Sequence, residues 1–416
     1  MKFNPFRPNS IAPSDLFQGR EEELSFVERS LFQTKNGNPM HFLVEGERGL
    51  GKSSLFLRIT DKASGKTPLE DGAFVNFIVL NLELDSNQAF FDILKMLAAE
   101  LKRAIAERDK IKSLAASTWD FLNKWEILGV RYHKLDESFI QPYEVLNDLV
   151  VSFDKVLNST KGLVDGILIL LDEADRPNEK ASLGELIKLL TEKLSKRGCN
   201  QVLLGLTGQP GLISKLKASH ESSSRIFTIF DLKPLKHKDN FSVVKSGLNI
   251  ANNVNKTSVI IDDEALELIS MLSEGYPHFL QEFSYKAFEA DTDYIIDVLD
   301  VKEGAYGTDG ALNQLGHKFF NEIYFNQIGS DDYRKVLTAM ARYSDKWVNR
   351  TMIKSEIDIK DTTLNNALQA LKSRNIIVPN PGQSGEFKLP TKSFAAWINA
   401  YNTLNSDFNE ITNSKA

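Results

Sequence analysis

The sequence predicts a three-layer α/β domain built on a parallel sheet, followed by a helical lid domain and a C-terminal winged helix-turn-helix. Three observations carry that expectation. Short apolar runs alternate with amphipathic stretches through the first half of the chain, the pattern of a parallel sheet covered by helices. Strand signals stop after Lys236. The last segment reads as three helices and then strand, turn, strand. The expected boundaries are an extended lead-in over 1–19, the α/β domain over 20–235, the lid over 236–330, the winged helix over 331–400 and a tail over 401–416.

The lead-in is rich in Pro, Asn and Ser. A helix starts at Arg20, with Glu21, Glu22 and Glu23 in its first turn, where carboxylates suit the positive end of the dipole. Leu24, Val27, Leu31 and Phe32 form its apolar stripe, and Asn36-Gly37-Asn38-Pro39 ends it. Buried strands are expected at 41–45, 74–82, 167–171, 201–206 and 226–230, with helices at 89–108 and 183–196 among them. The insert over 87–160, with Trp119, Phe121, Trp125 and Ile127 as buried positions, reads as a helical layer over the sheet or as a partner-binding surface. Beyond Lys236, helices at 262–273 and 278–290 flank Gly275-Tyr276-Pro277. A Gly/Asp-rich break at 303–310 precedes a further helix ending near Gln327. The final segment has helices at 331–342, 351–356 and 361–374, the last with Leu364, Ala367, Leu368 and Leu371 facing inward. Strands at 376–378 and 386–389 then enclose a Pro/Gly/Asn turn.

Composition sets limits. The 416 residues are 42% hydrophobic and 25% charged, which excludes a disordered or fibrous chain. Fifty Lys and Arg against 56 Asp and Glu give a net charge of −6. That total does not advertise nucleic acid, although residues 331–416 alone carry 12 basic and 9 acidic side chains. Cys199 is the one cysteine, so no internal disulfide forms and a reducing, cytoplasmic compartment is expected. The six histidines are scattered and show no zinc spacing. Prolines stand near the start where a signal peptide needs an apolar run, and no apolar stretch approaches the ~20 residues that span a bilayer. No membrane partner is expected.

The strongest motif is Gly46-Glu47-Arg48-Gly49-Leu50-Gly51-Lys52-Ser53, which fits GxxxxGK[ST], the Walker A phosphate loop. Its glycines let backbone N–H groups wrap phosphates, Lys52 places a charge at the β- and γ-phosphates, and the Ser53 hydroxyl joins the Mg²⁺ shell. Ser54 continues into a helix. The companion Walker B strand is Ile167–Leu171 followed by Asp172-Glu173-Ala174-Asp175. There Asp172 is suited to hold Mg²⁺, and Glu173 to orient or deprotonate an attacking water. The string Asp-Glu-Ala-Asp also occurs in RNA helicases, but those need a second α/β domain, and everything after Lys236 reads helical and then winged-helix.

Phe17-Gln18-Gly19-Arg20-Glu21, the Walker pair, Leu206-Thr207-Gly208-Gln209 and Gly275-Tyr276-Pro277 ahead of a winged helix resemble the archaeal-ATPase, STAND and origin-recognition branch of AAA+ proteins. The resemblance implies that Phe17, Gly19 and Arg20 lie near adenine, and that Thr207 or Gln209 is the polar group reading the γ-phosphate. It implies that Arg225 is an arginine finger reaching a neighbouring subunit, unless it is a plain surface arginine. Origin-binding initiators carry an arginine after the lid glycine. Here Gly275-Tyr276-Pro277-His278 is similar instead to the GxP element of STAND switches, where the proline contacts the nucleotide side. His278 is then a phosphate contact or a packed interdomain residue.

The function expected is that of a regulatory switch ATPase. ATP with Mg²⁺ would bind between α/β domain and lid, and the nucleotide state would control assembly with a protein partner, as in STAND-type signalling or antiphage defence. The alternative is a DNA-binding loader, initiator or transposition regulator that uses the winged helix on duplex DNA. A homo-oligomer fits either. On the third winged-helix helix, Thr362, Thr363, Asn365, Asn366, Gln369 and Lys372 can meet bases or phosphates, with Arg334, Lys335, Arg342, Lys346, Arg350, Lys354 and Lys388 as neighbouring cations.

Overall fold

The computed structural model describes residues 2–11, 16–108, 142–344, 346–380 and 382–413, with side chains as far as 402 except that of Pro142. The expected buried positions Trp119, Phe121, Trp125 and Ile127 lie outside the described residues. The chain forms two compact units, one of Gly19–Lys233 and one of Met1–Gln18 with Pro234–Ala416. The lead-in therefore belongs with the C-terminal residues. There Phe6 is buried against Gly247, and Lys2 pairs with the buried Asp291 at 2.5 Å.

The α/β unit opens with α1 (Glu21–Lys35) and continues β1 (Phe42–Glu45), α2 (Lys52–Ala63), β2 (Phe77–Glu83), α3 (Phe90–Ala106), α4 (Pro142–Ser159), β3 (Gly166–Asp172), α5 (Leu183–Lys196), β4 (Val202–Gly208), α6 (Leu212–Ser219) and β5 (Thr228–Asp231). All neighbouring strands are parallel, in the order β2-β3-β4-β1-β5. Their runs of Ile, Leu, Val and Phe suit a sheet covered on both faces. Leu43, Ile78, Ile167, Ile169 and Leu204 face one layer and share a core with α3, α4, α5 and α6. On the other face the Phe42 ring meets Phe56 of α2 edge-on, and Gly205 leaves room for it, since a Cβ there would lie 2.3 Å from the ring.

Several expectations shift. Phe32 is 57% exposed, and Phe26 takes its place in the buried face of α1. The second strand starts at Phe77, with Phe74 exposed. The fifth starts at Thr228, because Glu221–Ile226 is wound into a 3₁₀ turn.

The second unit contains α7 (His237–Asn255), β6 (Ile260–Ile261), α8 (Asp263–Ser273), α9 (Pro277–Ala290), β7 (Ile295–Ile296), α10 (Val298–Tyr306) and α11 (Ala311–Leu315). Two π-helical turns, Gly316–Phe320 and Glu322–Asn326, follow. Strands do continue beyond Lys236: β6 and β7 form a short parallel pair. The first half of the Gly/Asp-rich break is helical, because α10 is nucleated by reciprocal capping between Asp297 and Asp300.

The winged helix-turn-helix consists of α12 (Asp331–Ala341), β8 (Val348–Asn349), α13 (Arg350–Glu356), α14 (Asp361–Ser373), β9 (Val378–Pro379) and β10 (Glu386–Lys388). The strands form an antiparallel sheet in the order β8-β10-β9. Leu364, Ala367, Leu368 and Leu371 are the buried face of α14, as their spacing predicts. The segment expected as a tail from 401 is helical to Asn413, in α15 (Lys392–Asn413). Trp397 of that helix lies against Gly316, where a Cβ would sit 2.2 Å from its indole nitrogen. Lid and winged helix thus share one continuous core.

Candidate nucleotide site

Strand order determines what meets at the carboxyl edge of the sheet. β4 lies between β1 and β3, so the last residues of β4 sit between the loop that leaves β1 and the acidic turn that leaves β3. Loop residues 46–51 connect β1 to α2. Gly49 and Gly51 hold φ of 84° and 86°, a left-handed conformation that side-chain-bearing residues avoid. No side chain caps the N-terminus of α2, so its N–H groups face the loop, the arrangement that receives anions.

Lys52 is the first residue of α2, and its ammonium donates to the carbonyls of Gly46 at 2.7 Å and Glu47 at 2.9 Å. Burial lowers its pKa, while Asp172, Asp175 and Glu173 act against that and Arg48 adds to it. Arg48 is exposed, Leu50 is buried and Ser54 is half-buried in the first turn of α2. Arg20 donates from Nη2 to the Leu50 carbonyl at 3.2 Å, so the residue after Gly19 braces the loop.

Asp172 is the hub. Its Oδ2 accepts from the Ser53 hydroxyl at 2.8 Å, and its Oδ1 accepts from the backbone N–H of Glu173 at 2.9 Å and from the Thr207 hydroxyl. Thr207 is fully buried, and its carbonyl accepts from Ala174 N–H at 2.8 Å, which ties β4 to the acidic turn. Of the two polar candidates at the end of β4, the structure therefore brings Thr207 to the hub. Gln209 is exposed, and its backbone N–H donates to Asp175 Oδ1 at 2.9 Å.

Glu173 holds φ of 55°, a left-handed position for a side-chain-bearing residue. Arg176 Nε lies 2.5 Å from its Oε2, but that buried oxygen has no aligned hydrogen-bond donor. Burial raises the Glu173 pKa. Arg176 opposes this, the carboxylates of Glu83 and Asp172 reinforce it, and Arg48 lowers it slightly. Sequence reading had singled out neither Arg176, three residues after Glu173, nor Glu83, which pairs in register with Asp172.

Other expected residues lie elsewhere. Arg225 is exposed in the 3₁₀ turn before β5. Phe17 and Pro277 belong to the C-terminal unit, Phe17 half-buried and Pro277 the first residue of α9. His278 packs its ring against Phe319 and Phe279, and burial lowers its pKa to about 4.

Mg²⁺ is bound through one or two protein oxygens, with phosphates and waters completing the shell. The paired Ser53 hydroxyl and Asp172 carboxylate fit that donor set. Among the described residues, no group of three or more His, Cys, Asp or Glu could hold a metal by itself. No helix among them is long and apolar enough to cross a membrane.

The family model of the AAA ATPase domain matches residues 16–198, a span that includes the phosphate loop and the acidic turn and ends before Thr207 and Arg225. Among solved structures, the chain is similar to a Walker-type ATPase of Pyrococcus abyssi, at 19% identity and a TM-score of 0.52, over 92% of this chain and 96% of that one. It is also similar to the ORC2 protein of Aeropyrum pernix in ADPNP and ADP complexes, at 14% identity and a TM-score of 0.52, over 97% and 98%. No curated protein sequence matches it. Residues 16–198 are thus similar to an AAA ATPase domain, and the structural likenesses extend the similarity of fold to the lid and winged helix.

Proposed function

We propose that this chain is a Mg-ATP-binding and hydrolysing switch of STAND-like type, whose nucleotide state controls assembly with a protein partner. The observation that carries the reading is the convergence of Ser53, Thr207 and the Glu173 backbone on Asp172. Lys52 would exchange its two loop carbonyls for β- and γ-phosphate oxygens, held on a stem already placed at the mouth of α2. Ser53 and Asp172 would hold Mg²⁺, which supplies neutralisation of charge on the phosphates. Glu173 would orient and deprotonate the attacking water, and its raised pKa makes it a better base than an ordinary carboxylate. Thr207, bonded to Asp172, would carry the state of the site into β4. Arg176 beside Glu173 supports a slow turnover, because it competes for the carboxylate that the water needs. Phe17, Gly19, Arg20 and Pro277 are assigned to the nucleotide, and exposed Arg225 to a neighbouring copy.

The alternative is a DNA-bound loader or initiator, favoured by the exposed Thr362, Asn365, Asn366, Gln369 and Lys372 on α14. Against it, five of the seven neighbouring cations are already paired with carboxylates: Arg334, Lys335, Arg342, Arg350 and Lys354. Steady-state ATP hydrolysis across protein concentration, with and without duplex DNA and with Glu173→Gln as blank, separates the two. Slow turnover indifferent to DNA and lost in Glu173→Gln is expected. Stimulation by DNA selects the alternative, and turnover that survives Glu173→Gln removes the assigned base. A rise in turnover per subunit with concentration assigns Arg225 to a shared site.

A further inference from the structure

One end of the C-terminal unit presents several large apolar side chains to solvent. In the β6–β7 pair, Ile260 stands opposite Ile295, and both point outward at 55% and 43% exposure while Ile296 is buried. Leu299, in the first turn of α10, is 71% exposed, and Tyr306, seven residues on and so on the same helix face, is 49% exposed. Leu299 stands between two shallow depressions. One of about 440 Å³ is lined by Asp262, Asp263, Glu264 and Asp297, and one of about 520 Å³ by Asp300, Glu303 and Tyr306.

The rim is acidic. Asp297 and Asp300 cap α10 reciprocally, which explains those two. Asp262, Asp263, Glu264 and Glu303 make no ion pair among the described residues, and Lys302 is the one cation lining either depression. Burial raises the Asp300 pKa, the backbone hydrogen bond from Asp297 opposes this, and the charges of Asp297, Asp291 and Asp293 raise it further. Exposed apolar side chains beside a polar rim are the anatomy of a binding surface. Phosphate-bearing partners, nucleic acid or anionic lipid, are repelled by this one.

We propose that the strip over Ile260, Ile295, Leu299 and Tyr306 is the docking surface for an amphipathic segment of a protein partner, whose apolar face covers these side chains and whose Lys and Arg residues lie on the acidic rim. The proposal goes beyond the switch reading and does not depend on hydrolysis.

The test uses the full chain and a fluorescent synthetic amphipathic helix of leucine and lysine, beside the same helix with glutamate for lysine. The lysine helix should bind, the glutamate helix should not, and binding should weaken steeply between about 50 and 500 mM salt. Leu299→Glu should weaken binding about tenfold or more, and Asp263→Lys with Glu264→Lys should do the same without touching the apolar strip. Leu299 is exposed, so thermal unfolding and ATP affinity of Leu299→Glu should match the parent, which keeps failure here distinct from failure of the nucleotide site. Equal binding of both helices, no binding of either, or full binding by Leu299→Glu overturns the proposal. Loss of self-association in Leu299→Glu also overturns it, by giving the strip to a second copy of the chain.

Discussion

The phosphate loop and the winged helix both carry cations where phosphate could meet them, and they hold those cations in opposite ways. Lys52 is half-buried and donates to two neutral carbonyls, with carboxylates near enough to act on it but none in contact. On the winged helix, Arg350 and Lys354 share Asp361 at 3.1 Å each, Arg342 touches Glu356 at 2.5 Å, and Lys388 lies over the Trp347 ring. A cation on a carbonyl keeps its net charge for an incoming anion; a cation on a carboxylate is neutralised at the contact. The count of basic residues therefore misjudges both regions. Partner identity is the informative quantity, and it favours nucleotide over DNA.

The largest effect should come from breaking the first half of that comparison. Lys52→Ala should lower ATP affinity by about 100-fold, or ~2.7 kcal/mol, in calorimetric titration. Unchanged affinity would show that the loop does not hold the phosphates. Glu173→Gln should keep binding and lower single-turnover hydrolysis by roughly 10²- to 10⁴-fold. If Glu173→Gln loses binding as well, the carboxylate is structural and the reading of the acidic turn fails.

Much of this site was legible in the sequence because it is local. GxxxxGK[ST] and a buried strand ending in Asp172-Glu173 each occupy one short stretch, and backbone geometry fixes their spacing. Thr207 was legible as one of two candidates. Only the position of β4 between β1 and β3 brings its hydroxyl to Asp172 and leaves Gln209 outside. Arg176 was missed because a basic residue three positions after an acidic one is common on any turn, and its meaning depends on the left-handed backbone at Glu173. The helix α7 was also missed, although Val244, Leu248 and Ala251 are spaced for one buried face. The two-residue strands β6, β7 and β8 carry too few side chains to show a period of two.

Acid offers a second way to sharpen the contrast, because each unit holds one histidine whose pKa burial lowers to about 4. His41 accepts at Nδ1 from Leu204 N–H at 3.1 Å, an acceptor that protonation removes, and His278 also feels the charge of Lys318. Both are neutral in the fold, while the unfolded chain takes up its protons near the ordinary value of 6.5. As pH falls below that value the unfolded state binds more protons, so stability drops from about 6.5 to about 4 and then levels, by up to ~3 kcal/mol per histidine. Urea unfolding at neutral pH and near the lower limit measures the drop. His278→Phe, placed among Phe279 and Phe319, should make it smaller by the share of His278 and leave that of His41. A variant that loses as much stability as the parent would show that this histidine does not drive the acid response.

The smallest effect tests the second half of the comparison. Asp361 lies in the first turn of α14, and its hydrogen bond from Lys354, then the Lys354 charge and the contact with Arg350, hold its carboxyl below the usual range. It is therefore ionised throughout the neutral range and neutralises two cations beside the helix that would enter a groove. Exposed ion pairs of this kind are weak and screened by solvent, so releasing the cations should have a modest effect. Asp361→Asn should tighten binding to duplex DNA by roughly three- to tenfold at low salt, and steepen the salt dependence by about one phosphate contact per cation freed. Fluorescence anisotropy across a salt series reads both quantities. Unchanged affinity and slope would mean that Arg350 and Lys354 do not face the duplex even when free. If instead the parent already binds DNA tightly and with a steep slope, these cations leave their carboxylates for phosphate without help. The contrast with Lys52 then disappears, and the winged helix reads DNA.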